Sequence, residues 1–136
     1  MPQTIPLTSE QAQLLSQHFH DVGAAIVDFR AQQATVLSEQ QQFQLESSQN
    51  RCFQYANRFL AMSLFAQEED LDATLQAIAD STKQATAAIR TIGIVDKVLQ
   101  IATAAAELAE SIVSLNPDAI GSGIKGLFTA ISGDNT

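Results

Sequence analysis

The residues best able to do chemistry are His18, His20 and Asp21, the lone Cys52, the acidic run Glu68, Glu69, Asp70 and Asp72, and the glycines Gly121, Gly123 and Gly126. Each group resembles a known chemistry only in part. His18 and His20 lie two apart, so on a helix they point to different faces and do not converge on one ion. His18 and Asp21 share a face, but two ligands fall short of a specific metal site. The Glu-x-x-His pairs that build di-iron carboxylate bundles do not occur. The acidic run lacks the spacing and the central glycine of a calcium loop, and acidic residues at a helix start are explained by capping and the helix dipole. The three glycines miss the lysine–serine/threonine spacing of a phosphate loop. Cys52 sits beside Phe53 and Tyr55, as a small apolar helix residue would, and a single cysteine forms no intrachain disulfide. The expectation is therefore no catalytic residue, no metal, no cofactor and no enzyme.

The elements that carry these residues are helical. Of 136 residues only three are proline and six glycine, while Ala, Gln, Leu and Glu are abundant. The chain holds 46% hydrophobic residues, enough for one globular core. Fifteen acidic against seven basic residues give a net charge of −8, which repels phosphate backbones and argues against a nucleic-acid partner. Met1–Leu7 has neither a basic nor an apolar signal-peptide region, so a cytoplasmic location is expected, with leaderless export as the alternative.

Residues 1–7 read as an extended leader, and Thr8 with Gln11 as a capping box opening a helix. From there Leu15, Phe19, Val22, Ile26, Phe29, Gln33, Val36, Gln40 and Phe43 step by four and three, a coiled-coil heptad seam with glutamines at equivalent positions. Those glutamines are expected either to set helix register or to mark a wet part of the seam. The seam loses phase at 46–50. A continuous helix with a phase shift is expected there, a new cap at Ser47, Ser48 or Asn50 being the alternative, and the helix ends near Ala66. Gln67–Asp72 reads as a turn.

Leu71–Leu115 contains no proline and one glycine, Gly93, and is expected to be one helix bent at that glycine. Its second half carries two apolar stripes. An interaction stripe is expected at Ile94, Val95, Val98, Leu99, Ile101, Leu108, Ile112 and Val113. Asn116-Pro117-Asp118 reads as a cap and first turn. The last helix, 118–131, then places Ile120, Ile124, Leu127, Phe128 and Ile131 on a face meant for core or lipid, followed by a polar tail at 132–136.

The expected fold is all-α, one helical domain over 8–131: a long antiparallel helical hairpin or an up-down helical bundle, with a short C-terminal helix after Pro117. If the chain reverses near residue 69, Leu115 faces Gly23 and residues 118–131 lie on residues 7–20. A two-helix rod cannot bury both stripes, so the arms fold back or two hairpins pair. The function expected is a non-enzymatic interaction or scaffold protein, acting as a homo-oligomer (a dimer) or docking a helical protein partner. The alternative is a membrane-active, pore-forming-like protein exposing residues 98–131 to lipid. It is disfavoured because Glu107 and Glu110 each cost roughly 2.5–3.5 kcal/mol at a bilayer centre, and Lys125 is the only base of the tail helix.

Overall fold

The computed structural model describes residues 4–6, 8–60, 63–65, 68–114 and 117–132. The protein is all-α. Among the described residues five helices, α1 (Ser9–Gln32), α2 (Glu39–Phe59), α3 (Glu68–Ile92), α4 (Val95–Ser114) and α5 (Pro117–Ser132), follow one another. A short antiparallel ladder joins β1 (Thr4–Pro6) to β2 (Ser63–Phe65), with Ile5 opposite Leu64. This corrects the expectation of a helix reaching Ala66, and it gives the extended segment at Thr4–Pro6 a strand partner.

Local signals account for the helix bounds. Thr8 accepts from the Gln11 backbone N–H at 3.0 Å while the Gln11 side chain accepts from Thr8 N–H at 3.0 Å. The same reciprocal box recurs at Ser38 and Gln41, at 2.8 and 3.1 Å, and opens α2. The first long helix therefore breaks at residues 33–38, and α2 runs through 46–50 uninterrupted. The break overturns the second half of the heptad seam. Gln33 caps α1, Val36 in the turn is 66% exposed and Phe43 is 69% exposed. The buried stripe of α2 is instead Leu45, Ser48, Cys52, Ala56 and Phe59.

The second long helix also divides. Gly93 takes φ +73°, a left-handed conformation that most side chains resist, so α3 stops where only a bend was expected. On α3 the helix begins at Glu68, so the acidic run forms its first turn rather than a loop; the side chains of residues 68–72 lie outside the described residues, as do Leu115, Asn116 and 133–136.

Neighbouring side chains give the directions. Leu14 and Leu15 meet Leu75 and Ala79, His18 meets Lys83, and Asp28 pairs with Arg90 at 2.6 Å, so α1 and α3 run side by side in the same direction. Residues 43–51 of α2 and 99–107 of α4 line one cavity, and Arg51 at its far end pairs with Glu110 and lines the next cavity with Ser111 and Ser114, so α2 and α4 do likewise. Arg30 near the end of α1 reaches Gln42 and Gln49 of α2 at 2.9 and 2.7 Å, which makes α1 and α2 antiparallel. Helix packing follows two rows, α1–α3–α5 and α2–α4. Helix α4 touches α1, α2, α3 and α5, and α5 rests on α3 and α4. The single hairpin reversing near residue 69, with the tail on the start of α1, is thus not the packing. Close spacing explains why: the breaks at 33–38 and 93–94 shorten the arms, and each hairpin closes locally.

One core holds the rows together. Phe19 and Phe59 meet edge to face at 5.3 Å, and Ile26, Leu45, Ile78, Ile89, Ile101, Leu108, Ile112 and Leu127 are fully buried. Each large side chain so buried contributes roughly 1.5–3 kcal/mol. Thr82 and Ser81, buried among them, donate their hydroxyls to the Ile78 carbonyl at 2.7 and 3.0 Å. Among the described residues no buried side-chain nitrogen or oxygen lacks a partner.

Candidate functional site

Among the described residues, two grooves run along the outside of the paired helices, one over each row. The larger lies between α2 and α4. A cavity of about 540 Å³ is bounded by Phe43, Ser47, Leu99, Thr103, Ala104 and Glu107. A second, of about 320 Å³, shares Arg51 and Glu107 with it and continues past Glu110 and Ser114 to Ala119. Small residues make the channel. Ser47 and Ser48 on α2 and Thr103 and Ala104 on α4 cannot fill the space that larger side chains would occupy. The apolar end is formed by exposed Phe43 and half-buried Leu99. At the other end Arg51 of α2 forms an ion pair with Glu110 of α4. Glu107 takes part in no ion pair among the described residues, so the groove carries one uncompensated carboxylate.

The smaller groove lies between α1 and α3. A cavity of about 280 Å³ is bounded by Leu14, Leu15, His18, Leu75 and Ala79. It passes by way of His18 into one of about 120 Å³ beside Asp21, Thr82 and Lys83. Burial pulls the His18 pKa below 6.5, the nearby Lys83 ammonium adds to that, and Asp21 opposes it. His18 is thus held neutral at pH 7, and it faces α3. His20 faces the other way, its ring 5.0 Å from that of Phe53 on α2. The structure does not bring the two histidines together.

Cys52 is fully buried in the core, and burial pushes its thiol up to about 12. A thiol so hard to ionise is a poor nucleophile. Among the described residues no group of three or more His, Cys, Asp or Glu could hold a metal ion. Among them, too, no helix is long and apolar enough to cross a membrane.

The expected interaction stripe is distributed by depth. Val98, Ile101, Leu108 and Ile112 are fully buried, Val95, Leu99 and Val113 pack partly against the core, and Ile94 is 63% exposed at the α3–α4 junction. Most of both stripes of α4 is therefore packed inside the chain. In the tail, Ile120 and Leu127 are buried, and Ile124 and Ile131 pack partly against the core. Phe128 is half-buried. Gly123 rests over Leu108, where an added Cβ would come within 3.0 Å of the leucine side chain.

Sequence reasoning missed most of the groove. Phe43 belongs to the expected seam and Ser47 only to the alternative cap, while Arg51 and Thr103 carry no expectation of a site. The available signal was Ser38-x-x-Gln41, the capping box that resets the helical phase. With that reset, Phe43 stands two residues before Leu45, about 200° around the helix from the buried stripe.

Fold and site together define an all-α protein with a helix-lined outer groove. No protein-family model, no curated protein and no solved structure matches the chain.

Proposed function

We propose that this chain is a non-enzymatic helical interaction protein that receives an α-helix from a partner in the groove between α2 and α4. Its five helices alternate in direction as an up-down stack that supports this groove. The reading is carried by Phe43, an aromatic side chain 69% exposed at the lip of a cavity floored by Leu99 and Ala104. Isolated exposed apolar residues are ordinary, but an aromatic at the apolar end of an open channel can anchor a docked amphipathic helix. A partner distinct from the chain itself is favoured by charge, because two copies at −8 each repel.

Titrating the isotopically labelled protein with a synthetic amphipathic helical peptide, and following backbone amide shifts, tests the reading. The expected changes cluster at residues 43–51 and 99–107. Changes confined to other surfaces, or none at millimolar peptide, would contradict it.

A further inference from the structure

The groove between α2 and α4 has a chemical polarity that narrows its occupant. Its apolar end is Phe43 with Leu99, and its charged end is Glu107 beside the Arg51–Glu110 pair. Arg51 is neutralised by Glu110, so Glu107 leaves that end with a net negative charge. The acidic balance of the whole chain, −8, adds an attractive field for cations over the same surface.

We infer that the occupant is a basic amphipathic helix, anchored by an apolar residue against Phe43 and Leu99 and by a lysine or arginine on Glu107. This rests on the reading of the groove as a docking surface. The two anchor points also define a spacing. Leu99 and Glu107 are eight residues apart on α4, which is about 12 Å along its axis at 1.5 Å per residue. A helix lying alongside α4 matches that distance with an apolar residue and a base seven or eight positions apart, a separation that returns them to nearly the same face. The arrangement is the common one of an apolar anchor supplying affinity and a rim charge selecting the partner and speeding encounter.

Two synthetic helical peptides of equal length and identical leucine face serve as probes, one with lysines on its polar face and one with glutamates. Binding is measured by calorimetry to the full chain and to F43A, E107K and D80K. Asp80 is an exposed carboxylate on α3, away from the groove, hydrogen-bonded by Gln76 at 2.9 Å. The lysine peptide is expected to bind at least about tenfold more tightly than the glutamate peptide. F43A should weaken it about tenfold, E107K should remove most of the preference between the peptides, and D80K should change little.

Equal affinities for the two peptides with the Phe43 dependence intact would overturn the charge inference while leaving the docking groove standing. A D80K effect as large as that of E107K would show attraction to the acidic surface in general and would overturn it too. Binding indifferent to F43A, or no binding of either peptide, would remove the groove reading along with it.

Discussion

The two grooves are built from the same parts yet differ in what they leave open. Between α1 and α3 the charges are balanced, with Asp21 facing Lys83, and the cavities are about 280 and 120 Å³. Between α2 and α4 small side chains widen the channel to about 540 Å³, an aromatic ring stands exposed at its lip and one carboxylate is left over. Both pairs of helices run in the same direction at similar levels, so backbone geometry alone does not make the difference. Side-chain volume and charge pairing do. A surface that could have been closed by two or three larger residues is left open, and the docking proposal rests on that opening.

The largest expected effect tests whether that groove has a firm floor and an open lip. Leu108, fully buried on the inner side of α4, should cost about 2–5 kcal/mol when changed to Ala. Phe43→Ala should change stability by less than about 0.5 kcal/mol, since its ring is mostly in water. Chemical denaturation of the two variants checks this, and equal losses would mean that Phe43 is core and the lip is closed.

Gly23 sharpens the comparison from the side of α1. A Cβ there would stand 2.6 Å from the Phe53 ring, so Gly23→Ala must push α2 or its ring outward. A loss of about 1–3 kcal/mol in thermal or denaturant unfolding is expected from such overpacking. A neutral result would show that Phe53 swings aside freely and that the α1–α2 contact does not hold α2 at its distance from α4.

Ser38→Ala removes the cap that sets the phase of α2, and about 1 kcal/mol should go with it. If circular dichroism and denaturation show no change, the turn rather than the cap decides which way Phe43 faces.

That cap also marks how much could be read from the amino-acid order. The helical class and the buried face of α1 followed directly from apolar period, and the Thr8–Gln11 box from its residue types. So did the interruption at Gly93, though as a bend. The α1–α2 break did not, because Leu15 to Phe43 keeps a heptad step across it by coincidence and residues 33–38 contain neither glycine nor proline. A weaker signal, one serine with a glutamine three residues on, overrode a stronger-looking one. The groove was illegible for a related reason: it depends on which helices become neighbours, and a single long hairpin would have put α2 against α3. On α4, Gln100, Thr103 and Glu107 are polar residues of the kind any solvated helix face carries, and nothing in their types marks the wall of a channel.

The smallest effect belongs to the other groove. His18 has its pKa depressed below 6.5 in the folded chain, so the unfolded chain binds more protons once pH falls below that value. The contribution of neutral His18 to stability is present above pH 6.5 and is lost as pH drops through the lowered folded value. His18→Gln should therefore flatten the fall in melting temperature between pH 7 and 5 slightly, and an unchanged slope would place His18 in a more solvated setting than the α1–α3 groove provides.

The chain contains no tryptophan, so a single one reports only on its own site. Phe43→Trp and Leu14→Trp place one at the edge of each groove, and emission is followed while a tryptophan-free amphipathic helical peptide is added. Occupancy of the α2–α4 groove predicts a saturable blue shift for Phe43→Trp and an unchanged spectrum for Leu14→Trp. A shift at Leu14→Trp alone, or at neither position, would contradict the central claim that the groove between α2 and α4 is where this protein takes hold of a helix.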